Sequence, residues 1–293
     1  FMKKILLFFI LSVISIQGFA ASCADGNEPI KAVSADGSYF EYKCQEQIRL
    51  NTGRLSGFRS LSTSSYGYMI VNDIVRAGKE AQRFEVRPGD CGEDEVWSDC
   101  NNNRERSEIS LDNHFFPGDN QWVAFSVFIP DNFKTSNYVS TTIGQIHQIG
   151  GPSGIAGSLP SFPPLIQLEA RGNNYRACIH ILRGSANNVI DECKYYNLST
   201  ISSMQGQWTD IQIHFDTSNN KSLIEVYLNN ERKAVLRDFV NFWPESYYIK
   251  YGIYRSFVSQ HGGPMPTQIV WIDEVKMSKN QELVAINKAT PVD

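Results

Sequence analysis

From Tyr39 onward the chain is written in short stretches in which apolar residues alternate with polar ones or stand together, divided by clusters of Gly, Asn, Pro and Ser. Few stretches repeat at a helical period. Residues 68–74, 81–86, 106–111, 121–129, 141–149, 165–170, 175–182, 208–215, 222–228, 247–254 and 268–277 read as strands. So many short strands at close spacing predict an all-β protein, a two-sheet antiparallel sandwich of the β-jelly-roll kind. Asp216-Thr217-Ser218-Asn219-Asn220 and Asn229-Asn230 are hairpin signals, the second because asparagine tolerates the positive φ of a tight turn. Residues 73–80 read as one or two helical turns. Residues 150–164, rich in Gly, Pro and Ser, form the longest irregular stretch and are expected to be a loop over a site, since strands of the same character resume after it.

The N-terminus departs from this pattern. Met2-Lys3-Lys4, an apolar run from Ile5 to about Ile16 and the small residues of Gly18-Phe19-Ala20-Ala21 make a bacterial secretory signal peptide, 1–20, with cleavage expected after Ala20. The run is too short to span a membrane. Lipidation of Cys23 is not expected, because Ala20 stands where a lipobox usually has leucine. One jelly-roll domain over 21–293, exported to the periplasm or beyond the cell and acting as a monomer, is the expectation. Six cysteines in an exported chain make an even set, for which neighbour pairing (Cys23 with Cys44, Cys91 with Cys100, Cys178 with Cys193) is preferred among fifteen possibilities. A zinc site lacks any C-x-x-C pair. No cofactor or metal is expected, and calcium is left open. A net charge of −4 argues against nucleic acid as the main partner, yet allows arginines to gather in one groove for a polyanion.

Three stretches carry candidate chemistry. In a strand over 248–255, Tyr248, Lys250, Gly252 and Tyr254 share one face and Ile249, Tyr251, Ile253 and Arg255 the other. A glycine inside a strand loses stability unless something approaches the backbone there, so Gly252 reads as floor space for a ligand. In the second stretch, Arg104, Arg106 and Glu108 fall on one face, with Ile109 and Leu111 on the other. In the third, Gln145 and His147 share a face about 7 Å apart along the strand. Each stretch alone also fits an ordinary solvated strand face, where ion pairs contribute little. His114, His180, His214 and His261 are given a structural role.

Taken in order, Arg106-Ser107-Glu108, Gln145-Ile146-His147 and Tyr248-Ile249-Lys250-Tyr251-Gly252-Ile253-Tyr254 resemble the jelly-roll polysaccharide lyases. The trio is similar to the R-(T/S)-E, Q-I-H and Y-F-K-x-G-x-Y motifs of alginate lyases, and closer still to the heparin lyase I type family. Likeness to that family extends over roughly 83–277, through Arg83-Phe84-Glu85-Val86-Arg87, Pro163-Pro164-Leu165, Gly206-Gln207-Trp208 and Trp271-Ile272-Asp273-Glu274-Val275. The resemblance implies a concanavalin-like jelly roll whose sheet face binds an anionic, uronate-containing polysaccharide and cleaves it by β-elimination. Ile109-Ser110 after the first motif departs from the Leu/Val-Arg common in alginate lyases, which leaves the uronate open.

The chemistry asks for these residue types. Elimination across C4–C5 needs the uronate carboxylate neutralised, a base for the C5 proton and an acid for the departing O4. Arg106, Gln145 and His147 are candidate donors to the carboxylate, each such donor contributing roughly 2.7–4 kcal/mol in a preorganised site. Tyr254 and His147 are candidates for the proton transfers, with Arg106 expected to lower the tyrosine's pKa. Lys250, about 13 Å along the strand from Tyr254, is assigned with Tyr248, Glu108 and Arg104 to substrate binding. Arg83, Arg87 and Arg171 are candidates for flanking carboxylates or sulfates. Two other functions fit the same chain: a non-catalytic glycan-binding jelly roll, which needs no Gln-His-Tyr trio, and a glycoside hydrolase, which needs two facing carboxylates about 5–9.5 Å apart.

Overall fold

A computed structural model describes residues 30–33, 40–43, 58–93, 97–149, 162–185, 188–217, 222–238 and 244–286. The predicted signal peptide, Cys23 and Cys44 lie outside the described residues. Among those described, no helix is long and apolar enough to cross a membrane. The chain divides into two compact units, residues 1–45 and 46–293. The first contains an antiparallel pair, β1 (Ile30–Val33) and β2 (Phe40–Lys43).

The second unit carries the remaining strands: β3 (Phe58–Ser60), β4 (Tyr68–Val71), β5 (Ala81–Val86), β6 (Arg104–Phe115), β7 (Asn120–Ile129), β8 (Thr141–Ile149) and β9 (Ile166–Arg171). They continue with β10 (Asn174–Ser185), β11 (Asn188–Thr200), β12 (Gln207–Asp216), β13 (Leu223–Leu228), β14 (Glu231–Arg237), β15 (Ser246–Ser256) and β16 (Gln268–Ser278). One seven-stranded sheet runs β11-β10-β9-β8-β15-β6-β3 and the other β14-β13-β12-β7-β16-β5-β4. Neighbouring strands in each sheet are antiparallel, and the two inner faces share one core that includes Phe84, Phe125, Ile109, Ile143, Tyr251, Ile253 and Val270. This is the expected two-sheet β-jelly roll. Alternation explains it locally: Ile109 and Leu111 are buried in the core, while Arg106 and Glu108, one residue out of phase with them, turn to the other face.

The central strands of the first sheet bring the three candidate stretches side by side. Across β8, β15 and β6, Lys250 sits opposite Gln145 and Ser110, Tyr248 opposite His147 and His114, and Tyr254 opposite Thr142 and Arg106. The turn at Asn229 and Asn230 has φ of 50° and 65°, as its sequence predicts. Residues 73–80 are irregular rather than helical. The backbone N–H groups of Arg76 and Ala77 donate to the Asp273 carboxylate and the Arg76 guanidinium to Asp210, so this segment satisfies its donors on the other sheet instead of along a helix.

Gly252 is not floor space for a ligand. Its φ is +129°, and a Cβ there would lie 2.4 Å from the Ser107 carbonyl oxygen and 2.8 Å from Phe84 Cδ1. The glycine lets β15 bend tightly against β6 over a core phenylalanine, where the pairing of β15 with β8 also slips. Gly252→Ala should therefore destabilise the fold by about 3 kcal/mol or more, the combined effect of a strained φ and an overpacked core. Chemical denaturation measures this directly. A change under about 1 kcal/mol, the scale of a neutral core swap, would show that the bend is not required.

Candidate active site

Arg104, Arg106, Gln145, His147, Lys250 and Tyr254 line one cavity of about 440 Å³ on the first sheet. Phe162, Pro163 and Pro164, the described end of the 150–164 stretch, form part of its wall, as expected of a loop over a site.

The floor is an ion network. Arg106 lies along the Asp99 carboxylate, with Nε donating to Oδ2 at 2.7 Å and Nη2 to Oδ1 at 2.9 Å. Its remaining nitrogen, Nη1, is 3.3 Å from Glu108 Oε2, and the guanidinium carbon sits 4.4 Å from the centre of the Tyr254 ring. Burial works to lower the Arg106 pKa, but Glu108 and Asp99 outweigh it and hold the group above its ordinary value. Gln145 Nε2 donates to Glu108 Oε1 at 2.6 Å, which fixes the amide with its second hydrogen to spare. Glu108 is fully buried and absent from the cavity wall, so it orients Arg106 and Gln145 rather than touching a ligand.

His147 Nδ1 lies 3.0 Å from the Gln148 carbonyl oxygen. A carbonyl can only accept, so the neutral ring carries its proton on Nδ1 and leaves a lone pair on Nε2. Burial, reinforced by the charge of Lys250, pushes the imidazole down to about 3. Tyr248 braces this ring at a centroid distance of 5.3 Å and is itself stacked on His114 at 5.6 Å. It does not line the cavity, and its contacts among the described residues include these two rings. Lys250 is 7% exposed and has no hydrogen bond or ion pair among the described residues; burial lowers its pKa to about 8, with Glu108 acting in the opposite direction. Arg104 Nε is likewise buried without a hydrogen-bond partner. Two cations thus face the cavity with unused capacity.

Tyr254 reverses one expectation. Arg106 and Arg104 do act to lower its pKa, but burial is the larger effect and pushes the phenol up to about 12. It stands protonated at neutral pH, and its hydroxyl makes no hydrogen bond among the described residues.

Three predicted arginines are not brought here. Arg83 is on β5 in the other sheet, tied to Glu85 at 2.5 Å and set over the Trp271 ring. Arg87 pairs with the same Glu85 and lies 3.7 Å from the Tyr66 ring centre. Arg171 Nε donates to the Asn137 carbonyl oxygen at 3.0 Å, away from the cavity wall. These arginines found partners in nearby carboxylates, rings and carbonyls, a competition that strand alternation does not reveal.

Sequence reasoning also missed part of the wall. His180 lines the cavity with Gln167 and Asp191; its Nδ1 is 2.9 Å from Asp191 Oδ1 and its Nε2 3.2 Å from Gln167 Oε1. A signal was present, since 178 and 180 share the face that carries Gln167 once β9 and β10 pair. Cys178, His180 and Cys193 lie close enough to hold a metal ion, but the two sulfurs are joined in a disulfide and offer no thiolate. The Cys91–Cys100 bridge is also present, so both described disulfides join sequence neighbours.

The jelly roll thus gathers cations, an imidazole and a phenol on one sheet face. Residues 50–276 match the polysaccharide lyase family, and the chain belongs to that family. Comparison with curated proteins finds no match. The fold is similar to endo-β-1,4-glucuronan lyase from the fungus Trichoderma reesei, with a TM-score of 0.64 at 17% identity over 82% of this chain and 98% of that one. It is also similar to the alginate lyase from Klebsiella pneumoniae, with a TM-score of 0.53 at 12% identity over 80% and 99%. A family 7 alginate lyase solved in complex with substrate gives 0.50 at 17% identity over 74% and 82%. These likenesses establish a shared fold.

Proposed function

We propose that this polysaccharide lyase binds a uronate-containing polymer across the β6–β15–β8 face and cleaves it by β-elimination, with His147 as base and Tyr254 as acid. The observation that carries this is the pairing of protonation states on one wall: an imidazole with a free Nε2 lone pair and a phenol that keeps its proton. Arg106 Nη1 and the second Gln145 amide hydrogen neutralise the carboxylate of the uronate that is cleaved, and the Lys250 ammonium binds the carboxylate of the neighbouring sugar. His147 Nε2 then takes the C5 proton, the C5–H electrons form the C4–C5 double bond, the C4–O4 bond breaks, and O4 receives the Tyr254 proton. The incoming carboxylate offsets the charge of Lys250 and so raises the basicity of His147 when substrate is bound. Glucuronan and alginate, named for the structural neighbours, are both uronate polymers, which supports this substrate class. The disulfides fit an oxidising compartment, and we place the protein outside the cytoplasm.

A hydrolase would need two free carboxylates. Glu108 is buried between Arg106 and Gln145, and Asp191 is held by His180. Incubating the protein with alginate, glucuronan, heparin and heparosan under ultraviolet detection tests the proposal. At least one polymer should yield products absorbing through a new C4–C5 double bond; products without that absorbance would contradict elimination, and no products at all would favour a glycan-binding module.

Lys250 has a separable part. Lys250→Ala should raise KM by about tenfold or more, the size of a lost charge-assisted contact, while kcat stays close to the parent value. The lysine's charge is present below about pH 8 and lost above it. KM of the parent should accordingly rise as pH passes through about 8, and Lys250→Arg, charged throughout, should remove that rise. A KM independent of pH from 7 to 9, a span chosen to bracket the lowered pKa, would take Lys250 out of the binding site.

A further inference from the structure

We infer that Asp99, on the loop closed by the Cys91–Cys100 disulfide, is a positioning residue that fixes which edge of Arg106 meets the substrate carboxylate. The inference rests on the β-elimination reading of the site and extends it to a residue that does not line the cavity.

Asp99 is 1% exposed, and both its oxygens are committed to Arg106. A buried carboxylate in two charge-assisted hydrogen bonds holds a planar guanidinium in one orientation, which a single contact would not do. Glu108 alone could not replace it, since its 3.3 Å contact is to one nitrogen and leaves the guanidinium free to turn about its stem. With the Nε–Nη2 edge occupied by Asp99, the Nη1–Nη2 end of the guanidinium remains for a ligand, and the plane is set against the Tyr254 ring.

Asp99 is itself held from several sides. Its Oδ2 accepts from the Gly92 N–H at 3.1 Å, its own N–H donates to the Gly92 carbonyl at 2.9 Å, and its carbonyl accepts from the N–H groups of Asn102 and Arg104. The loop is cut to fit: a Cβ on Gly92 would stand 2.9 Å from Asp99 Oδ2 and 3.0 Å from Arg106 Cδ. The disulfide joins Cys91 to Cys100, the residues flanking Gly92 and Asp99, with their Cα atoms 5.4 Å apart. The bridge thus reaches the reacting groups through two residues, Asp99 and Arg106.

The test is steady-state kinetics, read by ultraviolet product formation on the best uronate polymer, for the parent, Asp99→Asn, Arg106→Gln and the double variant, with thermal unfolding of each. Asp99→Asn should lower kcat about 100-fold, the scale of a small misplacement of a catalytic group, and change KM far less. The double variant should be no slower than Arg106→Gln, because the two residues act as one unit. A merely structural Asp99 would lower the melting temperature and add its loss in full to that of Arg106→Gln; that result, or a kcat for Asp99→Asn near the parent value, overturns the inference. Should Asp99→Asn fail to fold, Asp99→Glu keeps the charge but displaces it by one methylene; it should lose at least about tenfold in kcat by the same misplacement, and parental kcat would overturn the inference. If the parent yields unsaturated products and the Asp99 variants form them at the parental rate, the inference alone falls. If the parent yields none from any polymer, the elimination reading falls and the inference with it.

Discussion

Tyr254→Phe should lower kcat by a factor of 10² to 10⁴, the range typical of a general acid, with the fold intact. The substitution keeps the ring that packs against the Arg106 guanidinium and removes only the hydroxyl of this cavity-lining residue. Its effect belongs to kcat because O4 departs only in the transition state, so KM should move little. A phenol pushed up to about 12 suits the proposed acid, since desolvation holds the proton until negative charge develops on O4. Kinetics of Tyr254→Phe on the best substrate measure this. Retention of more than about a tenth of parental kcat, a loss below that expected of proton transfer, would reduce Tyr254 to a binding residue.

His147→Gln should bring a loss of similar size, again 10² to 10⁴ in kcat, and it carries a pH signature. The folded imidazole is held at about 3 against an ordinary 6.5, so it stays neutral and able to accept a proton far into the acid range. The kcat/KM profile of the parent, which reports the free protein, should lack the limb near pH 6.5 that an ordinary histidine base would give. Stability should follow the same shift. The unfolded chain binds a proton at this position below about pH 6.5 that the folded chain refuses, so the stabilising effect of the neutral ring is complete above 6.5 and is lost as pH falls toward 3. His147→Gln should be less sensitive to acid over that window. An acid limb in kcat/KM centred near 6.5 would show that His147 is solvated like a free imidazole.

The sequence showed the strands wherever one face is buried. Residues 81–86 and 141–149 are strands at those bounds, because apolar side chains recur toward the core. β11 was invisible for the opposite reason: it is an edge strand, Asn188–Thr200, whose Asp191, Glu192, Lys194 and Asn197 leave no apolar alternation to detect. The same logic divides the site. Arg106, Gln145, His147, Lys250 and Tyr254 were legible because they fall at even spacing on neighbouring strands. Asp99 was not, since it sits in an irregular acidic loop whose position over Arg106 is set by the chain's return at Cys100. Gly252 was misread because a glycine in a strand signals a close approach without saying from which side. Here the approach comes from Phe84 and the β6 backbone. Protonation states were out of reach altogether, because burial, the largest influence on both Tyr254 and His147, depends on the assembled cavity.

The central claim is that chain cleavage at this site is an elimination and consumes no water. Digesting the best uronate polymer in heavy-oxygen water and weighing the products by mass spectrometry tests it most directly. Elimination predicts new reducing ends without heavy oxygen from the cleavage step, matched one for one by fragments lighter by a water and bearing the C4–C5 double bond. Heavy oxygen incorporated at cleavage, with no unsaturated partner fragment, would mean hydrolysis and contradict the account.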